Sequence, residues 1–143
     1  MEKLTKEDII LFFLEDPYKL ATEIWKGSVP KSDEIRTLIC ELGNARCAYW
    51  YALQIDKKPT DEIRTLICEL GNPWCAYCYA RDIDKGPTDE TRTASCRGSD
   101  GAYWYARYID KKPTDETREA ANKAPYYKQE YEEWEKECSL KKI

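Results

Sequence analysis

Ala48, Tyr51, Ala52 and Ile55 fall at positions i, i+3, i+4 and i+7, the spacing that puts side chains on one face of a helix. The same residues return at Ala76, Tyr79, Ala80 and Ile83, and again at Ala102, Tyr105, Ala106 and Ile109. Paired alanines let two backbones approach closely while Tyr and Ile fill the space beside them. The pattern predicts three equivalent helices with one buried stripe each. Nearer the C-terminus Tyr127, Tyr131, Trp134 and Cys138 form a further stripe, with Glu130, Glu133 and Glu137 facing elsewhere.

The segments before these stripes repeat too. DEIRTLICELGN occurs at Asp33–Asn44 and again at Asp61–Asn72. A third unit begins at Asp89 (DETRTASCRGSDGAYWYARYIDKKPT) and a fourth at Asp115 (DETREAANKAPYY); EDIILFFLEDPYKLATEIWKG from Glu7 fits the same frame. Starts near 7, 33, 61, 89 and 115 give periods of 26–28 residues.

Each unit reads as two short helices. Ser32, Thr60, Thr88 and Thr114 precede an acid-rich first turn, a capping hydroxyl followed by charges that a helix N-terminus favours. Pro59, Pro87 and Pro113 stop the preceding helix. Gly43 and Gly71 suit a left-handed C-terminal cap, Asn44 and Asn72 cap the second helix, and Pro73 fits its first turn. Asp16-Pro17 and Ala124-Pro125 hold the same junction in the outer units.

Helices of about ten residues are marginal alone and gain stability when hairpins stack. The expected fold class is therefore all-α: a right-handed solenoid of about five short helical hairpins in a single domain over residues 1–143. Residues 1–31 are the expected N-terminal cap, nearly all apolar in the first helix, and residues 115–143 the C-terminal cap.

Composition narrows the function. The chain is 42% hydrophobic and 35% charged, with eleven Tyr and five Trp, enough apolar material for a packed core. A net charge of −4 without a basic block disfavours nucleic acid as a partner. The absence of histidine removes the commonest general base near neutral pH and the commonest zinc ligand, and no cofactor is expected. The apolar run Ile9–Leu14 is short and flanked by acids, so neither a secretion signal nor a membrane span is expected. With seven cysteines, an odd number, the expected setting is a reducing cytoplasm with free thiols.

Four residue sets could carry chemistry. Arg36, Arg64, Arg92 and Arg118 recur at the fourth position of their units, and an acid closes the second helix before a unit start at Asp56, Asp84 and Asp110. The structural reading ties each Arg to the Asp of an adjacent turn; the functional one is a row of guanidiniums for an anion. Cys40, Cys68 and Cys96 recur as small apolar residues, and Cys75-Ala-Tyr-Cys78 is a CxxC on a helix, without the strand–turn setting of a redox site. Tyr49 and Tyr51 point about 200° apart on a helix, so one core cannot hold both. Some of Tyr49, Trp50, Tyr77, Tyr103 and Trp104 must then lie between units or on the surface, and Tyr and Trp are common binding anchors. The near-identical units differ at Ala45-Arg46 against Pro73-Trp74, and at Leu53-Gln54 against Arg81-Asp82 and Arg107-Tyr108, which marks solvent- or partner-facing positions.

Units built on DE-x-R, AY-x-YA and IDK-x-PT resemble the short, near-identical helical repeats of phage and bacterial proteins, over roughly residues 32–118. Their period departs from tetratricopeptide, ankyrin and HEAT repeats, so no ligand-binding residue carries over from those families. The resemblance implies a small acidic binder that inhibits a bacterial defence system, anti-CRISPR-like or otherwise, in the host cytoplasm if phage-encoded. The expected function is a non-enzymatic scaffold that docks on a protein partner through Tyr49, Trp50, Trp74, Tyr77, Arg81, Tyr103, Trp104, Arg107 and Tyr108. The alternative is a nucleotide or other small anion held between repeats by the four arginines.

Overall fold

The computed structural model describes residues 2–141, and among them regular structure is entirely helical, with no strand. The chain divides into two compact units, Met1–Leu70 and Gly71–Ile143. The first holds α1 (Lys6–Glu15), α2 (Pro17–Lys26), α3 (Asp33–Glu41), α4 (Ala45–Trp50) and α5 (Asp61–Leu70). The second holds α6 (Pro73–Tyr79), α7 (Asp89–Ser95), α8 (Ser99–Tyr105), α9 (Asp115–Ala121) and α10 (Pro125–Lys141). Helices α4, α6 and α8 run on as π-helix over Tyr51–Asp56, Ala80–Asp84 and Ala106–Asp110.

Within the first unit α1 packs on α2 and α3 on α4; α4 lies beside α2, and α5 contacts both α3 and α4. Within the second, α7 pairs with α8 and α9 with α10, while α8 lies between α6 and α10. Lateral contacts recur: Thr37 Oγ1 donates to Glu62 at 3.1 Å, as Thr93 Oγ1 does to Glu116 at 3.0 Å, and Lys6 pairs with Glu34.

The caps follow the sequence. The hydroxyls of Ser32, Thr88 and Thr114 accept the N–H three residues on, at 3.0, 3.1 and 3.2 Å, and Thr60 accepts that of Ile63 at 3.4 Å. Asn44, Asn72 and Asp16 cap α4, α6 and α2, and Gly43 and Gly71 take φ of 71° and 75°. Helix α1 starts one residue before the expected Glu7, because Thr5 and Asp8 close a reciprocal capping box.

The buried stripes are those the periodicity predicts. Ala48, Tyr51, Ala52, Ala76, Tyr79, Ala80, Ala102, Tyr105 and Ala106 are completely buried, Ile83 and Ile109 nearly so, and Ile55 is half-buried. On α10, Tyr131 and Trp134 are buried, with Tyr127 and Cys138 packed against them.

One feature departs from the expectation of plain α-helical hairpins and a second extends it. The first is the π-helical ending. The Lys57 N–H reaches back five residues to the Ala52 carbonyl at 2.8 Å, and Lys85 bonds Ala80 likewise. In an α-helix Asp56 would project about 140° away from Tyr51, five residues earlier. A helix closed by i→i+5 bonds brings the two nearly into line. The same five-residue interval separates Tyr105 from Asp110. In α10, which stays α-helical, the corresponding pair is Tyr131 and Glu135, four residues apart. Each π segment ends on a lysine with positive φ, Lys57, Lys85 and Lys111 at 56–58°, a conformation that costs a non-glycine residue about 1–2 kcal/mol.

The aligned pair reaches the N-terminus of the unit's own first helix. Tyr105 Oη accepts the Thr88 N–H at 2.9 Å, donates to the Thr88 carbonyl at 3.0 Å and lies 2.8 Å from Thr91 Oγ1. Tyr131 repeats this at Thr114 and Thr117, and Tyr51 bonds Ser32 and the Pro30 carbonyl.

The second feature is α1, nearly all apolar as expected, where Leu11 and Leu14 are 64% and 72% exposed. The wet face that a terminal cap needs is therefore apolar here.

Tyr105→Phe removes a buried hydroxyl that the Thr88 N–H and Thr91 depend on. The expected loss is about 1–2 kcal/mol in urea denaturation, with Tyr131→Phe costing a similar amount. Unchanged midpoints in both variants would show that the hydroxyls do not hold the hairpins.

Candidate functional site

The recurring arginines come first, because their surroundings decide what they can bind. Arg36 donates Nε and Nη2 to Asp56 at 2.7 Å each and Nη1 to Asp33 at 2.8 Å. Arg92 makes the same fork on Asp110, at 2.8 and 2.7 Å, with Asp89 at 2.8 Å. Arg118 forks onto Glu135 and bonds Asp115, and Arg64 bonds Asp61 at 2.7 Å. The acid clasped by Arg36, Arg92 and Arg118 closes or lies on the second helix of the same unit. The expectation had placed it on the helix before. The π-turn supplies the reason, since it aims Asp56 and Asp110 back at their own hairpins.

The side chains of Asp56 and Asp110 are fully buried, and hydrogen bonds to them are the first cause of raised pKa in Arg36 and Arg92. An incoming anion at either arginine would compete with a buried, bidentate carboxylate. A hollow of about 420 Å³ beside α1 and α3 is large enough for a metabolite. It is walled by Asp33, Glu34 and Glu41, and its Lys6 is already paired with Glu34, so its field disfavours anions.

The nine aromatic and arginine candidates divide between the two units. In the first, Tyr49 and Trp50 are half-buried on α4, edge to face at 5.5 Å. In the second, neighbouring helices α6 and α8 gather the other seven. Tyr77 and Tyr103 are buried, at 5% and 3% exposure. Trp74 is 54% exposed and 5.4 Å from the Tyr77 ring, and Tyr108 is 45% exposed and stacked on Trp104 at 5.3 Å and 17°. Arg81 lies over Tyr77 at 5.3 Å and forks onto Asp82. Arg107 lies over Tyr108 at 5.5 Å and donates to Tyr103 Oη at 2.5 Å.

Tyr103 and Tyr105 face opposite sides of α8, as the periodicity requires, yet both are buried. Tyr105 turns to the start of α7, while Tyr103 joins a cluster with Ala121, Tyr131 and Trp134. A helix with neighbours on both sides has two cores.

Sequence reasoning passed over Tyr18 and Trp25 on α2, exposed at 61% and 58% beside Trp50. Their partner Arg46 was marked as a variable position; it occupies the place that Trp74 takes one repeat later. The first unit's weaker match to the repeat hid the α2 aromatics.

Four of the seven cysteines are poor nucleophiles. Burial pushes the thiols of Cys47 and Cys78 up to about 11, and those of Cys40 and Cys96 up to about 12, from an ordinary 9.0. No metal-holding cluster of His, Cys, Asp or Glu occurs among the described residues. Comparison of the chain with protein-family models, with curated proteins and with solved structures finds no match.

Two outcomes follow. Asp110→Ala strips the buried acceptor from Arg92 and is expected to cost about 2–3 kcal/mol, while Glu135→Ala, in a half-exposed pair, costs about 1 kcal/mol or less. Denaturation midpoints of the two variants check the difference. The folded protein also binds the thiol protons more tightly than the unfolded chain, and burial raises the phenols of Tyr51, Tyr105 and Tyr131 likewise. Stability is therefore intact below about pH 9 and is lost as pH rises towards 11–12, read as a urea midpoint lower at pH 10.5 than at pH 8.

Proposed function

We propose that this protein is a non-enzymatic helical-repeat scaffold, built as the right-handed solenoid expected from its repeats, that docks on a protein partner and blocks or sequesters it. The observation that carries this reading is the pair of exposed aromatics on neighbouring helices, Trp74 against Tyr77 and Arg81 on α6 and Tyr108 against Trp104 and Arg107 on α8. Trp, Tyr and Arg are the residue types that most often dominate binding energy. Here their ring stacking and hydrogen bonds fix them before any partner arrives, which lowers the cost of association.

The missing histidine and the raised thiols of Cys40, Cys47, Cys78 and Cys96 support binding over catalysis. The small-anion reading draws less support, because the recurring arginines are committed to carboxylates. The likeness to phage and bacterial helical repeats makes an inhibitor of bacterial defence, acting in the host cytoplasm, the first setting to examine. No helix among the described residues is long and apolar enough to cross a membrane.

Affinity capture from bacterial lysate tests the proposal, with Trp74→Ala and Tyr108→Ala as matched baits. The wild-type chain is expected to retain a specific protein, and each substitution to weaken the complex by about 2 kcal/mol, roughly 30-fold, with unchanged circular dichroism. Equal retention by wild type and both variants would remove these α6 and α8 aromatics from the account.

A further inference from the structure

The arginines of this chain form two populations. Arg36, Arg92 and Arg118 each hold two carboxylates. Arg46 is different: it is exposed, no described carboxylate lies within ion-pair reach of it, and its guanidinium rests over the Tyr18 ring at 4.6 Å. A guanidinium set over a ring, with no carboxylate on its fork, keeps N–H donors for an incoming carboxylate.

Arg46 stands at the edge of an open groove of about 210 Å³ between α2 and α4, lined also by Tyr18, Ala21, Thr22, Trp25 and Trp50. That is below the roughly 300–1,000 Å³ of small-molecule sites and has room for a single side chain. Lys19 and Lys26 on α2 pair with Glu15 at 2.8 Å and Glu23 at 3.8 Å, and Arg46 is the one cation among the lining residues, a poor match for a polyphosphate. One carboxylate beside one apolar side chain is the chemistry that fits.

We infer that the α2–α4 groove binds an acidic segment of a partner protein, with one apolar side chain seated among Tyr18, Trp25 and Trp50 and a neighbouring carboxylate forked onto Arg46. The inference rests on the reading of the protein as a docking scaffold, and it names the chemistry of the partner. The groove is lined by neither Trp74 nor Tyr108, so substitutions at the two sets of residues are read independently.

The test uses the full chain and fluorescein-labelled hexapeptides in anisotropy titrations: alternating Glu and Phe, the Gln–Phe counterpart, and the Glu–Ser counterpart. The Glu–Phe peptide is expected to bind, and both counterparts to bind at least about tenfold more weakly. Arg46→Ala and Trp25→Ala, both at exposed positions, are expected to weaken the Glu–Phe peptide at least about tenfold, while Trp74→Ala/Tyr108→Ala leaves it unchanged. Equal affinity for the Gln–Phe peptide, no binding by folded protein, or binding insensitive to Arg46→Ala each overturns the assignment. Sedimentation velocity of the unliganded chain covers the competing occupant: a concentration-dependent dimer abolished by Arg46→Ala assigns the groove to a second copy and overturns the partner reading.

Discussion

A buried phenol set against the N-terminus of a helix is the interaction on which this molecule turns. The residue that caps each first helix carries a backbone N–H that no intrahelical bond can use. Ser32, Thr88 and Thr114 give that N–H to Tyr51, Tyr105 and Tyr131. Each tyrosine is wholly buried, so an unpaired hydroxyl or amide there would carry the full cost of desolvation. Short helices that could not persist alone are thereby joined at the point where their ends are weakest.

The π-turn is the geometric consequence. One face of the second helix must deliver a hydroxyl to the cap and a carboxylate to the arginine four residues past it. With Tyr and Asp five positions apart, the wider turn brings both to one side of the helix; four apart, as in Tyr131 and Glu135, an ordinary α-helix serves. The left-handed lysines that end the π segments are strained, and the burial and ion pairing they permit offset that strain.

These bonds use up the polar groups on the inner side of each hairpin and leave the outer aromatics for other work. Arg36 and Arg92 are structural because their carboxylates are buried with them. Arg46 and Arg107 rest on tyrosine rings, with donors left over. The same residue type thus serves two ends, divided by whether the opposing helix carries an acid in reach.

Local rules and repetition made much of this legible. The hydroxyl and Asn caps, the left-handed glycines, the Ala-Tyr-Ala stripes and the all-helical class depend on interactions within a few residues of chain, which sequence spacing encodes directly. Repetition also marked Trp74, Arg81, Arg107 and Tyr108 as variable positions, and in the second unit they lie on the neighbouring helices α6 and α8 and their π-helical ends. Other properties needed coordinates. Spacing read in steps of 100° cannot reveal a turn that closes every five residues, so the true partner of Arg36 and Arg92 was missed. Periodicity separated Tyr103 from Tyr105 but could not show that α8 has neighbours on both sides. The grouping of Tyr18, Trp25, Arg46 and Trp50 joins two helices whose sequences share little of the repeat. The sequence alone determined where helices start, stop and turn their apolar faces, because those choices are local; which side chains then met was decided only by the packing of one helix on the next.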